Sequence, residues 1–200
     1  MMWEISAREY ILMGGPIMLP LVFVSLLLGY LIAERYFFLV GLSRNDLTAD
    51  DVIHHIGQGQ ETAAIRGGGL YQRFLHRLLL AKQIYGGIDQ RILEEAHQGL
   101  IPELTKNFTI ISCLITAAPL LGLLGTVCGM IKIFKVMNIY GTSNPHAMSG
   151  GISEALIITQ FGLVVAIIGM YVQLFVEKRA KRCIHLIDEL TRHIRKKFAL

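Results

Sequence analysis

The stretch from Asn107 to Ile131, NFTIISCLITAAPLLGLLGTVCGMI, decides the fold, because it contains no Asp, Glu, Lys, Arg or His. Two other stretches, from Ile11 to Ala33 and from Ala155 to Val176, also lack these residues and are of similar length. A helix needs about 20 mainly apolar residues to cross the roughly 30 Å hydrocarbon core of a bilayer. The sequence therefore predicts an all-α integral membrane protein with three transmembrane helices.

The first uncharged stretch could also be the apolar part of a secretory signal. That part is usually about 7 to 15 residues long, follows a basic segment and precedes a small-residue cleavage site. Here the stretch is longer, Glu4 precedes it, and Glu34 and Arg35 follow it. We therefore expect a permanent membrane anchor.

The composition excludes several other classes of protein. Of the 200 residues, 53% are hydrophobic and 17% are charged, against roughly 25% charged residues in an average soluble domain. This hydrophobicity excludes a disordered chain, and three cysteines in a chain of this length exclude a disulfide scaffold. The net charge of +4 would suit a nucleic-acid partner, so the positions of the charges have to decide its meaning.

The Lys and Arg residues predict the side of the membrane on which each segment lies. Eight of the 19 lie in 34–106 and eight follow Val176. Because positive flanks are retained in the cytoplasm, 34–106 and 177–200 are expected to be cytoplasmic. The remaining expected segments are a periplasmic N-terminus at 1–10, transmembrane helices at 11–33, 107–131 and 154–176, and a periplasmic loop at 132–153. The basic charge thus indicates a topology in the lipid bilayer and no nucleic-acid partner.

Helical periodicity is visible in both segments that are expected to be cytoplasmic. Apolar residues recur at helical spacing over 70–79 and 92–104, and Asp89 is placed to cap the second of these helices. The second helix is expected to continue through Lys106 into the second span. The tail has an apolar face that extends the third span, made of Ile184, Ile187, Leu190, Ile194 and Phe198. These long extensions predict a cytoplasmic helical bundle.

Small residues recur every three or four positions in two of the spans. They are Gly122, Gly125 and Gly129 in the second span, and Gly162 and Ala166 in the third. Lipid tails give helices no hydrophobic reason to associate, so close backbone approach at small residues holds such helices together. These faces could pack within one chain or between copies of it, and the sequence leaves both open.

Polar residues lie near the expected outer end of the membrane segment. Thr126 is five residues from the outer end of the second span, and Thr159 is five residues below Glu154 on the third. Both threonines are therefore expected about 7 to 8 Å below the surface. An acidic residue at the outer margin suggests an ion path or a partner contact. The alternative is an acid that complements a helix N-terminus among the lipid headgroups.

None of the three uncharged stretches contains an Asp, Lys, Arg or His inside the membrane. Proton relays in membranes use chains of titrating side chains, so the protein alone is incomplete as a proton conductor. A partner helix that supplies a carboxylate would complete it. Threonine hydroxyls can orient water beside such a group without titrating themselves.

Two runs of these same residues resemble the signatures of a known family. The first is APLLGLLGTV at 118–127, and the second is ISEAL at 152–156 with Thr159, Gly162 and Ala166 after it. Both are similar to the ExbB/TolQ/MotA proton-channel family. The residues GGP at 14–16 and ER at 34–35 resemble ExbB specifically.

The resemblance implies a ring in the bacterial inner membrane, typically of five copies, around a pair of single-span subunits. These partners are ExbD- or TolR-like, and their intramembrane aspartate carries protons. Such motors couple the proton motive force to a TonB- or TolA-like protein for outer-membrane transport. By position, Thr126, Glu154 and Thr159 match the pore-lining polar residues of the family. The chain departs from the family pattern at Gln160, Ile168 and Gln173, which bears on the subfamily more than on the mechanism.

Other functions compete with this interpretation. A TolQ- or MotA-like stator subunit is one alternative, and a non-conducting scaffold for a single-span partner is another. A solute transporter is disfavoured by three spans with no inverted repeat. An enzyme, a cofactor or a metal is not expected, because no nucleophile with its base, phosphate-binding loop or metal cluster stands out. Glu94 and His97 have di-iron spacing in one copy only, which predicts a solvated helix face.

Overall fold

The computed structural model describes residues 14–44, 68–85, 89–141 and 145–198. Within these ranges the chain forms five α-helices and no strand, which confirms the all-α expectation. The helices are α1 (Met18–Arg44), α2 (Leu70–Tyr85), α3 (Gln90–Leu104), α4 (Phe108–Tyr140) and α5 (Pro145–Phe198). The N-terminal segment 1–10, expected to be periplasmic, lies outside the described residues.

Among the described residues, three helical segments are long and apolar enough to cross a membrane. They lie at Met18–Leu42, Gln90–Ile139 and Met148–Lys197. Each contains most of one uncharged stretch, so by length and composition the expectation of three spanning helices is confirmed.

The helices α4 and α5 continue well beyond their uncharged stretches. Residues 132–140 and 145–153, which the sequence analysis assigned to a loop, are helical. The helix α4 ends at Tyr140. The next residue, Gly141, has a φ of 70°, and its N–H donates to the carbonyl oxygen of Met137 at 2.9 Å. Glycine adopts this left-handed conformation without a steric penalty, which is why it commonly ends helices.

The chain divides into two compact units. The first comprises Met1–Ile32 with Thr109–Gln173, and the second comprises Ala33–Phe108 with Leu174–Leu200. Of the 19 Lys and Arg residues, 16 belong to the second unit. Segments that are apolar and distant in the sequence thus form one unit, and the charged segments form the other.

Large apolar side chains cover the outside of the first unit. On α1, Leu19, Phe23, Leu26 and Tyr30 repeat every three or four residues and are each 66–68% exposed. The helices α4 and α5 expose similar rows, which include Leu120, Leu123, Val127, Leu163 and Ile167. An apolar surface of this extent is expected on a helical unit that a bilayer or a neighbouring chain covers.

In the second unit, apolar faces of the helices are buried. The faces of α2 and α3 contact each other, and they include Phe74, Leu75, Leu78, Leu93, Ala96 and Leu100. The tail of α5 buries a row with alternating spacings of four and three, made of Val176, Ala180, Cys183, Ile187, Leu190 and Ile194. The expected helical tail is therefore confirmed, with Ile184 only half-buried beside this row.

The helix α3 begins where the sequence predicts, but it ends earlier than expected. Asp89 precedes the helix in an extended conformation and accepts a hydrogen bond from the Gln90 N–H, so the predicted cap is confirmed. The prediction of one continuous helix into the second span is wrong, because α3 ends at Leu104. Asn107 has a φ of 67°, a left-handed conformation that asparagine tolerates better than most residues. One residue in this conformation is enough to separate α3 from α4.

The prediction that His97 lies on a solvated helix face is wrong. His97 Nε2 lies 2.6 Å from Asp188 Oδ1 on α5, and the histidine side chain is 18% exposed. Sequence spacing within α3 could not reveal this contact, because the carboxylate comes from a helix that is distant in the chain. Within the second unit, this pair joins α3 to α5.

Glu103 joins three helices of the second unit through arginines. Its carboxylate forms ion pairs with Arg73 and Arg77 of α2, the latter at 3.3 Å between Oε2 and Nη2. Its carbonyl oxygen accepts a long hydrogen bond of 3.4 Å from Nη1 of Arg35, which is only 2% exposed. The guanidinium groups of Arg35 and Arg73 each lie 5.2 Å from the ring centre of Phe38. Cations over an aromatic face are attracted by the quadrupole of the ring, and this attraction further stabilises the cluster.

The Glu103 cluster gives a first prediction. Glu103→Gln removes the negative charge while keeping the shape, so Arg73 and Arg77 lose their ion pairs with this side chain. We expect a loss of about 1–2 kcal/mol in stability, because the groups are partly exposed and screened. Thermal unfolding of the purified full chain in detergent measures this. Glu95→Gln, on the exposed face of the same helix, is the control, and equal midpoints for the two variants would contradict the role of Glu103.

Candidate functional site

In the first unit, α4 and α5 approach each other at glycines. A Cβ built on Gly162 would lie 2.7 Å from the carbonyl oxygen of Ala118, and one built on Gly129 would lie 2.6 Å from Ala155 Cβ. Both distances are too short for real atoms, so glycine is required for this approach. Gly122 faces the Cα of Thr159, where a built Cβ would make a tight contact of 3.2 Å, and Gly125 faces the side chain of Ile158 at 2.5 Å. Ala166 is also buried. The small-residue faces of the two spans therefore meet within one chain.

Thr159 lies in this contact and binds the backbone of both helices. Its Oγ1 is 3.1 Å from the carbonyl oxygen of Gly122 and 3.0 Å from that of Ala155, so the single hydroxyl hydrogen is shared between two acceptors. Thr126 Oγ1 donates to the carbonyl oxygen of Leu123 on its own helix, at 2.7 Å. Because Gly125 faces Ile158, Thr126 and Thr159 lie at neighbouring levels of the antiparallel pair.

Glu154 is held by two residues that the sequence analysis did not assign to the site. Nζ of Lys132 on α4 lies 2.5 Å from Glu154 Oε1, and the glutamate side chain is only 18% exposed. The same oxygen packs against Gly15, which has a φ of +64° and where a Cβ would overlap the carboxylate. The acid is therefore an ion-paired group between α4, α5 and the turn that precedes α1.

The position of Glu154 within α5 excludes the alternative role, in which this acid complements a helix N-terminus. The helix α5 begins at Pro145, so Glu154 lies more than two turns inside it. The field of a helix terminus falls off within about one turn, so the idea that this acid complements a helix N-terminus is wrong. The ion pair with Lys132 replaces it.

The register of an antiparallel pair could have revealed Lys132 from the sequence. Lys132 and Glu154 are nearly equidistant from the connection between α4 and α5, so they lie opposite each other. The same register brings Gln173 Nε2 to 2.7 Å from Ser112 Oγ at the other end of the unit. By sequence alone, Gln173 is only a departure from the family pattern. Gly15 has no comparable signal, because its contact with Glu154 depends on how α1 packs.

These groups can form hydrogen bonds, orient water and exchange protons. A carboxylate accepts protons, an ammonium donates hydrogen bonds, and the threonine hydroxyls can both donate and accept. Across the ranges that the structure describes, no three His, Cys, Asp or Glu side chains converge as a metal site would require.

Comparison with protein families identifies proteins that resemble this chain. Residues 70–189 match the sequence model of the MotA/TolQ/ExbB proton channel family. The matched region runs from the start of α2 into the tail of α5, and it includes Thr126, Glu154, Thr159 and Lys132.

Individual relatives carry related names. The ExbB-like 3 protein of Synechocystis is 34% identical over 161 residues, which cover 77% of this chain and 77% of that protein. The ExbB-like 1 protein of the same organism is 30% identical over 169 residues, 80% of this chain and 66% of the relative. The biopolymer transport protein ExbB of Helicobacter pylori is 39% identical over 83 residues, 42% of this chain and 57% of the relative. The chain thus matches only about two thirds or less of the length of the last two proteins.

The glycine contact gives a second prediction. Gly162→Ala places a methyl group against the carbonyl oxygen of Ala118, which is backbone and cannot rotate away. We expect α4 and α5 to separate, with a loss of about 1–3 kcal/mol from overpacking. Gly150→Ala on the same helix is the matched control, because nothing lies within 4 Å of a Cβ there. Thermal unfolding in detergent compares the two, and a Gly162→Ala midpoint at or above that of Gly150→Ala would contradict the contact.

Proposed function

The chain belongs to the MotA/TolQ/ExbB proton channel family, and on that premise we propose that it is an ExbB-like subunit of a proton-driven motor. In this proposal, several copies, typically five, form a ring in the bacterial inner membrane around a pair of single-span subunits. The ring couples the proton motive force to a TonB- or TolA-like protein that energises outer-membrane transport. The family is one of proton channels and not a class of enzymes.

The observation that carries the proposal is the set of polar groups on the α4–α5 pair. Glu154 is a largely buried carboxylate, and Thr159 follows it on the same helix, between apolar rows that face outward. We assign Thr126, Glu154 and Thr159 to the border of the proton path. Intramembrane polar and acidic groups are costly, so they are retained where ions or partners pass.

The partner that we propose is an ExbD- or TolR-like single-span subunit with an aspartate inside the membrane. Its need follows from the sequence, because no uncharged stretch of this chain contains an Asp, His, Lys or Arg. Protons would neutralise the partner's aspartate in turn, and each neutralisation would move the partner within the ring. The exposed apolar rows of α1, α4 and α5 provide surfaces for the neighbouring copies and for lipid.

The proposed orientation follows the Lys and Arg residues. The N-terminus and the α4–α5 connection lie in the periplasm, and the second unit with its 16 basic residues lies in the cytoplasm. The paired Glu154 then stands at the periplasmic mouth, where protons enter.

A non-conducting scaffold for a single-span partner is the second candidate, and one observation favours it. The hydroxyl hydrogen of Thr159 is bonded to the carbonyl oxygens of Gly122 and Ala155. Helix packing alone explains that bond. A TolQ- or MotA-like stator would share the proton path and differ in the protein that it drives.

Thr159→Val tests the motor against the scaffold. Valine keeps the shape and removes the hydroxyl, so we expect the ring to assemble while proton-driven function falls at least about tenfold. Proton uptake by liposomes that hold the chain and its single-span partner measures this, and size-exclusion chromatography measures assembly. Thr116→Val is the matched control, because the Thr116 hydroxyl also binds backbone carbonyls of α4 but is exposed. Full proton flux in Thr159→Val would favour the scaffold.

Co-purification tests the partner directly. A tagged full chain, extracted from its own host membrane in mild detergent, should retain a single-span protein with one aspartate in its apolar segment. Mass spectrometry identifies the retained protein. Recovery of copies of this chain alone, under conditions that keep the ring intact, would contradict the proposed complex.

A further inference from the structure

The proposed function leaves the Lys132 side of the ion pair with Glu154 unexplained. A carboxylate at the mouth of an ion path ordinarily attracts metal cations, as rings of Asp or Glu do in cation channels. Here Nζ of Lys132 already lies 2.5 Å from Glu154 Oε1. A lysine ammonium is a compact point charge with three donors, so the carboxylate carries a tethered cation of its own.

The space around the same oxygen is also restricted. Gly15 packs so closely that a Cβ there would overlap Glu154 Oε1, and that Cβ would lie 3.4 Å from Nζ of Lys132. Metal cations with a preference for oxygen gather several oxygen ligands around themselves. Such a shell needs a carboxylate oxygen without a cation partner and free space beside it. At Oε1, Lys132 is already the cation partner, and Gly15 fills the space.

A proton has no such requirement. It binds one lone pair of one carboxylate oxygen as an O–H bond, and it leaves when the next oxygen on the path forms the same bond. The carboxylate oxygen that Lys132 does not hold is sufficient for this exchange. An ammonium beside a carboxylate opposes any added cation, a proton included. Only the metal cation also needs the space and the further oxygen ligands that Lys132 and Gly15 deny it.

We propose that Lys132 is a specificity-determining residue, whose ammonium excludes sodium from Glu154 and leaves this group to protons. The proposal rests on the proposed function, in which Glu154 borders the proton path. The matched control is Lys135, which has the same charge and lies exposed one turn further along α4.

Sodium NMR on the purified full chain in detergent tests the binding step. Broadening of the sodium resonance reports bound ions. The broadening that disappears when Glu154→Gln is added to a variant reports the ions bound at Glu154. We expect no Glu154-dependent broadening in the wild type, in Lys135→Gln or in Lys132→Arg, because all three keep a cation at position 132. We expect Glu154-dependent broadening in Lys132→Gln and in Lys132→Met. The second neutral variant keeps the test decisive if the first misfolds. Its presence in the wild type, or its absence from both neutral variants when folded, overturns the proposal.

Proton flux tests the consequence. Liposomes with the chain and its partner are compared in sodium chloride and in choline chloride of equal ionic strength, so that charge screening is the same. We expect severalfold lower flux in sodium for Lys132→Gln and equal flux in both salts for the wild type and Lys135→Gln. Equal flux in both salts for Lys132→Gln overturns the proposal. A wild type without proton flux would contradict the proposed function instead, while the NMR measurement, which needs no partner, still decides the role of Lys132.

Discussion

The first unit depends on how closely the backbones of α4 and α5 approach each other. At Gly162 the carbonyl oxygen of Ala118 occupies space that any other side chain would fill. This approach lets the hydroxyl of Thr159 reach the carbonyl oxygen of Gly122 across the contact. It also fixes the register, because a shift along the helix axis would place larger side chains where only glycine fits. Helices in lipid have no hydrophobic force to hold them together, so such contacts and hydrogen bonds have to do so.

Once that register is fixed, the polar residues of the two helices have defined partners. Lys132 meets Glu154 at one end of the unit, and Gln173 meets Ser112 at the other. A carboxylate without these neighbours would be costly to place among apolar helices. The ion pair with Lys132 therefore explains how an acid is retained in an apolar unit.

The second unit is stabilised by different interactions. Its helices bury continuous apolar faces, as soluble helices do. Side-chain contacts also link them: Glu103 lies between arginines, and His97 lies beside Asp188. Arg35 is buried with two of its guanidinium nitrogens unbonded, although its face lies on Phe38. Burial without full hydrogen bonding lowers the contribution of such a cation to stability. The cluster around Glu103 thus serves more to fix the positions of three helices than to provide a large stabilising energy.

The sequence by itself determined the three spanning segments, the helical period of α2, α3 and the tail, and the cap at Asp89. These features follow from hydrophobicity and from neighbours three or four residues apart, so they can be predicted from the residues alone. Only the tertiary structure decided the break at Asn107, the His97–Asp188 pair, and the position of Gly15 against Glu154. The break depends on one backbone angle that several residue types can adopt. The contacts join residues that are distant in the chain, and their distances exist only after the helices have packed.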